Sequence, residues 1–127
     1  MKSMRTPMAR VRGLGAAKDG TGHWWAQRLT SLALIPLAVW FVASVVAMAG
    51  ADYAAMVAWV SNPLVAGLLI LLIVATFYHA TLGVQVVVED YVHHEGAKFA
   101  TIIAIKGLAI VLGLTGVLAV LTILFQG

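Results

Sequence analysis

The chain has 127 residues, of which 62% are hydrophobic and only 10% charged, against about 25% charged in an ordinary soluble domain. With a mean hydropathy of +1.00, it is solvated mostly by lipid and does not make a water-soluble globule. It has no cysteine, which excludes disulfides, thiolate zinc sites and iron–sulfur clusters held by this chain.

Six of the eight basic residues fall in the first 28 positions (Lys2, Arg5, Arg10, Arg12, Lys18 and Arg28), opposed only by Asp19. The segment 1–28 therefore reads as a basic arm. A cleaved signal peptide fits poorly, since its apolar core would be about 7–15 residues long after a few basic ones, whereas here the apolar run starts near residue 29 and is longer. The arm fits either a cytoplasmic segment lying on anionic headgroups or a mitochondrial transit peptide. The net charge of +3 does not point to nucleic acid, because the positive residues gather at one end of an apolar chain.

From Leu29 to Ala51 no charge occurs over 23 residues, enough to cross a bilayer. Asp52 and a polar-aromatic stretch ending in Ser61-Asn62-Pro63 signal a turn. Leu64 to Val88 is a second charge-free run, of 25 residues, followed by the polar cluster Glu89–Lys98. A third apolar run, Phe99 to Phe125, is interrupted only by Lys106. These features predict an all-α integral membrane protein with three transmembrane helices, at about 29–51, 64–88 and 99–125, in a membrane unit spanning 29–127. Pro36 predicts a mild kink in the first. Lys106 reads best as an anchor whose long stem snorkels to the interface. Small-residue rows (Ala43 with Ala47, Ala109 with Gly113 and Gly116) predict close helix packing.

Orientation follows from the basic residues: six on the arm and one, Lys98, in the 89–98 loop, against none in the 52–62 loop or at the C-terminus. The positive-inside rule puts the N-terminus and the 89–98 loop in the cytoplasm (or matrix) and the C-terminus on the periplasmic side.

The second apolar run contains one ionisable residue, His79. Eleven residues before Asp90, it lies about 16 Å below the boundary, the middle of a roughly 30 Å hydrocarbon core. An ionisable group at that depth is a functional candidate; the alternative is a histidine that hydrogen-bonds a neighbouring helix. Gly83 is one turn on, about 40° around the helix, and leaves room for a flat ring system, although a glycine there also permits close helix packing. Haem iron takes imidazole as an axial ligand, so the pair is compatible with a haem among helices. Asp90 returns to within about 20° of His79, and Tyr91 beside it is either an interfacial anchor or a hydrogen-bond donor to a membrane-soluble carbonyl compound. One histidine at that depth supplies one axial ligand, so a six-coordinate haem would need a second from another chain.

The string His79-x3-Gly83-x6-Asp90-Tyr91-Val92-His93 resembles the second helix of the D-type cytochrome b membrane-anchor subunits of succinate dehydrogenase, over roughly residues 20–127. That resemblance implies a haem b held by His79 and shared with a C-type anchor subunit, and a quinone carbonyl bonded by Tyr91 with Asp90 alongside. Members of that family begin helix one with a histidine, often an aromatic and then an arginine, which here reads His23-Trp24-Trp25-Ala26-Gln27-Arg28 and implies Arg28 near the haem propionates and the quinone approach, with His23 a further cofactor contact. Glu89 departs from the small polar residue common at that position. The implied partners are the C-type anchor, the iron–sulfur subunit, the flavoprotein subunit and membrane lipid. The implied role is that of a non-autonomous subunit of succinate:quinone oxidoreductase in a bacterial inner membrane, or alternatively a mitochondrial one. Other readings are a fumarate reductase anchor and a haem-free scaffold or assembly protein.

Overall fold

A computed structural model describes residues 17–126, with side chains from Thr21 onward; most of the basic arm lies outside the described residues. The described residues form four helices: α1 (Ala17–Ala47), α2 (Tyr53–Val60), α3 (Pro63–Tyr91) and α4 (Glu95–Gln126). Three contain stretches long and apolar enough to cross a membrane, Thr21–Ala47, Pro63–Tyr91 and Glu95–Gln126. The protein is all-helical with three membrane spans.

The helices run past the apolar stretches that predict them. α1 begins twelve residues before Leu29, because the helix does not stop where hydrocarbon stops. The His23-Trp24-Trp25 turn continues it into the interface, where side chains with one wet and one apolar end are at home. Pro36 lies inside α1. The 52–62 connection is not simply a loop: Asp52 caps the short helix α2, its Oδ1 accepting from Ala55 N at 2.8 Å. α3 opens with Asn62 Oδ1 accepting from Leu64 N at 2.9 Å, and Pro63 sits at the first position, where no N–H is needed. Between α1 and α2, Gly50 takes a positive φ of 83°, the left-handed conformation that follows many helix ends.

Only three residues separate α3 from α4. His94 caps α4, its Nδ1 accepting from Ala97 N at 3.0 Å, and Lys98 pairs with Glu95 at 3.5 Å across the first turn. Hydroxyls inside the spans bond back to their own helix, Thr115 and Thr122 each at 2.7 Å to the carbonyl four residues earlier. This is how a hydroxyl is satisfied where there is no water.

α3 is the middle of the sheaf. It packs against α1 on one side and α4 on the other, while α1 and α4 do not meet. Gly113 and Gly116 let α4 close on α3: a Cβ on Gly113 would stand 3.5 Å from the Phe77 ring, and one on Gly116 3.3 Å from Ile73 Cδ1. The densest packing is at the α2 end, around Ala66, Leu69 and Val120, with Trp40 stacked on Trp59 at 5.9 Å. Elsewhere large apolar side chains face outward, Leu64 at 72% and Phe125 at 82% exposed. Such a surface suits lipid and neighbouring helices, not water.

Candidate functional site

His79 projects from the middle of α3 toward α1, where its Nδ1 lies 2.9 Å from Thr30 Oγ1. The hydroxyl also contacts the carbonyl oxygens of Ala26 at 2.7 Å and Gln27 at 3.1 Å. A threonine hydroxyl has one proton to give. The short contact to a carbonyl, which can only accept, uses that proton, so the hydroxyl accepts from Nδ1–H of His79. The network therefore assigns the Nδ1–H tautomer and leaves the lone pair on Nε2. An imidazole held at one nitrogen by an oxygen, with the other free, is the arrangement of a metal-ligating histidine.

Gly83 is where the spacing places it, one turn from His79. Its missing side chain admits the amide of Gln27 from α1: a Cβ there would stand 3.7 Å from Gln27 Nε2. Gln27 Oε1 is shielded and has no hydrogen-bond partner among the described residues. Thr76 and Ala80, small and exposed, adjoin His79 and Gly83 on α3. A flat ring system therefore has a small-residue flank to lie against, with an unmatched amide oxygen at its edge. These residues fit a haem, with His79 Nε2 as the ligand.

Asp90 and Tyr91 close α3 at the α3–α4 turn, both exposed, Tyr91 at 77%. Asp90 falls within about 20° of His79 around α3 and Tyr91 about 120° away, and both stand at the depth where water and membrane meet. Arg28 is exposed and lies over the Trp24 ring, 5.1 Å from its centroid. It sits two residues from Thr30 and so about 160° around α1; the fold does not bring it to His79. His23 lines a cavity on another side of α3, with its Nε2 shielded and unpartnered among the described residues.

Thr30 and Gln27 are site residues that reading the sequence does not single out. Thr30 lies 49 positions from His79, and only the register of α1 on α3 selects it over Ser31, whose hydroxyl bonds to Arg28 O at 2.8 Å.

The family described as succinate dehydrogenase/fumarate reductase transmembrane subunit matches residues 2–115. The chain belongs to that family. It is thus a membrane subunit of an oxidoreductase complex. A succinate dehydrogenase hydrophobic membrane anchor subunit of Rickettsia bellii is 29% identical over 123 residues, covering 97% of this chain and 96% of the relative. One of Paracoccus denitrificans is 29% identical over 100 residues, 79% of this chain and 78% of the relative. A succinate dehydrogenase membrane anchor subunit of Reclinomonas americana is 28% identical over 96 residues, 73% and 80% respectively. No solved structure matches significantly. With three apolar spans and these bacterial relatives, the chain is a multi-pass protein of the inner membrane.

Proposed function

We propose that this chain is the small anchor subunit of a succinate:quinone oxidoreductase, in which His79 supplies one axial ligand of a haem b shared with a second anchor subunit. The Thr30 contact carries the reading: with the Thr30 hydroxyl proton on the Ala26 carbonyl, the 2.9 Å contact takes Nδ1–H of a mid-membrane histidine and leaves Nε2 as the nitrogen that would bind iron. Among the described residues no group of three or more His, Cys, Asp or Glu side chains is placed to hold a metal. His79 is the one histidine at mid-membrane depth in the spans, so a second ligand to haem iron would come from a partner chain. When bound, the haem supplies one-electron storage.

The chain's own residues do three things. Thr30 fixes the imidazole's tautomer and orientation, and the exposed small residues beside Gly83 keep the flank of α3 open. Arg28, about 160° around α1 from Thr30, is an exposed cation that a carboxylate reaching round α1 would engage bidentately through its planar guanidinium. At the α3–α4 turn, Tyr91 donates its O–H to a quinone carbonyl oxygen, and Asp90, in reach of water, passes a proton toward the same place. Electrons come from the iron–sulfur subunit, supplied by the flavoprotein subunit, both on the cytoplasmic side. The seven basic residues on that side against none opposite support this orientation. The relatives' names favour succinate oxidation over fumarate reduction.

The test is an optical spectrum of the assembled complex. A low-spin b-type haem is expected, one per copy of this chain, and His79→Ala should abolish it. A haem that stays bound and spectrally unchanged in His79→Ala overturns the assignment.

A further inference from the structure

Three helices begin on a side-chain cap, and the last of the three caps differs in kind. Asp52 and Asn62 open α2 and α3 with oxygens, which accept from Ala55 N and Leu64 N. His94 opens α4 with a ring nitrogen, its Nδ1 accepting from Ala97 N at 3.0 Å. An aspartate keeps an acceptor oxygen whether or not it carries a proton, and an asparagine amide does not titrate. An imidazole nitrogen accepts only while it is bare. Histidine changes charge between about pH 5 and pH 8, so of the three caps this one alone can be lost near neutral pH.

The turn is shaped around the ring. Gly96 has no Cβ, and one there would stand 3.1 Å from His94 Cε1 and 3.4 Å from Nδ1, closer than the imidazole could comfortably lie. The N–H groups of Glu95, Gly96 and Ala97 have no carbonyl to bond within the helix, and Ala97's is the one that finds a partner among the described residues. The next, Lys98 N, bonds His94 O at 2.8 Å, so His94 holds the first turn of α4 through both its ring and its backbone.

A proton on Nδ1 works against this turn twice. It replaces the lone pair with an N–H aimed at another N–H, and it sets a positive charge at the helix end where the peptide dipoles are already positive. The neutral ring therefore holds the turn, and its contribution is lost as pH falls. The ionisable groups around the turn are Glu89, Asp90 and Tyr91 at the end of α3, His93 beside the ring, and Glu95 and Lys98 on α4. On α1, which packs against α3 and does not meet α4, those at the same end are His23 and Arg28. Glu95 is paired with Lys98 at 3.5 Å and Glu89 is bonded by Gln85 Nε2 at 3.0 Å.

We propose that His94 is a proton-operated clasp on the α3–α4 turn. Neutral, it caps α4; protonated, it releases Ala97 and the first turn of α4 loosens beside the end of α3 that carries Tyr91. Where Tyr91 serves quinone, the clasp makes quinone turnover sensitive to acid on the arm side. That consequence rests on the quinone reading proposed above, and the clasp itself does not.

Hydrogen exchange over residues 95–98 of the intact complex tests it. His94→Asn supplies an acceptor at every pH and His94→Ala supplies none. Comparing the proteins with one another at each pH cancels the pH dependence of exchange itself. At about pH 8 wild type and His94→Asn should exchange alike, and His94→Ala about tenfold faster; at about pH 5.5 wild type should approach His94→Ala. Wild type keeping pace with His94→Asn at both values overturns the clasp, as does His94→Ala exchanging no faster than His94→Asn. Quinone turnover, taken relative to reduction of an artificial acceptor, should fall at the lower pH in wild type and not in His94→Asn. Equal relative turnover alongside the exchange difference overturns the link to quinone and leaves the clasp standing, while Tyr91→Phe separately decides whether Tyr91 serves quinone.

Discussion

Replacing Thr30 with valine keeps the side-chain shape and removes the oxygen that accepts from His79 Nδ1–H. A neutral hydrogen bond of this kind is worth about 0.5–1.5 kcal/mol net. What it does to a haem depends on how much stronger it is in the ferric state. Iron(III) withdraws more electron density from imidazole, makes Nδ1–H a better donor and strengthens the bond to Thr30. The bond therefore favours the oxidised form, and removing it raises the reduction potential. If the ferric state holds the whole difference, about 1 kcal/mol corresponds to roughly 40 mV for one electron, since a tenfold factor is about 59 mV or 1.4 kcal/mol. If it holds half, the shift is about 20 mV. The expected result for Thr30→Val is a rise of about 20–40 mV, read by spectroelectrochemical titration of the purified complex. Thr30→Ser, which keeps the hydroxyl, should remain near wild type. Haem content must be measured alongside, because losing such an outer partner commonly weakens metal binding by about 10–100-fold. A potential unchanged in Thr30→Val with the haem still bound refutes the role. A fall refutes the tautomer, since it would mean that Thr30 donates to a bare Nδ1 and that valine leaves a more electron-rich ligand.

Other predictions rest on separate contacts. Tyr91→Phe should slow succinate-to-quinone turnover by about tenfold, the loss of one hydrogen bond of about 1.4 kcal/mol made in the transition state, with reduction of an artificial acceptor by the soluble subunits unchanged; equal quinone kinetics would remove Tyr91 from the site. Gly116→Val pushes branched carbons into Ile73, which a Cβ alone would approach to 3.3 Å, and should cost about 1–3 kcal/mol, seen as a lower Tm of the complex. Gly107→Ala, with nothing within 4 Å of the new carbon, is its control and should leave the Tm unchanged. Asp52→Ala removes the acceptor for Ala55 N and should destabilise α2 by about 0.5–2 kcal/mol, read as faster hydrogen exchange over 53–57, whereas Asp52→Asn should behave as wild type.

The three spans could be read from the sequence because a bilayer imposes a length: runs of 23 and 25 uncharged residues and a third broken only by Lys106 admit little else. Their ends were harder to read. Loss of apolar character marks the edge of hydrocarbon, but α1 continues to Ala17 through residues comfortable at an interface. α2 escaped because a single two-turn helix leaves only the signal of its cap, Asp52, ahead of a short apolar stretch. His79 stood out as the one ionisable group in an apolar run. Its partner did not, since Thr30 is one hydroxyl among several and acquires meaning only when α1 lies against α3 in one register. Lys106 shows the same limit. From its position it reads as a snorkelling anchor; the company of Gln85 and His23 around one cavity emerges only when three helices are assembled.

In that assembly, although α1 and α4 flank it without meeting, α3 is incomplete in two different ways, at its contact with α1 and at the cavity it shares with α1 and α4. On the side of His79 are the lone pair on Nε2, the shielded and unmatched amide oxygen of Gln27 and a strip of small exposed residues, which suit a planar metal group and a second helix bundle. On the other side a cavity has His23, Gln85 and Lys106 at one end and apolar residues along the rest. A lone membrane protein would have no reason to leave the first side unfinished, because an exposed small-residue strip in lipid gains no packing and a histidine with one free nitrogen gains no partner. On the proposed reading, the side of His79 is the one that faces the partner. The alternative is a partner subunit docked over the cavity. Crosslinking between the partner anchor and cysteines introduced at Ala80 or Ala109 distinguishes the two arrangements, with Ala80 the position expected to react.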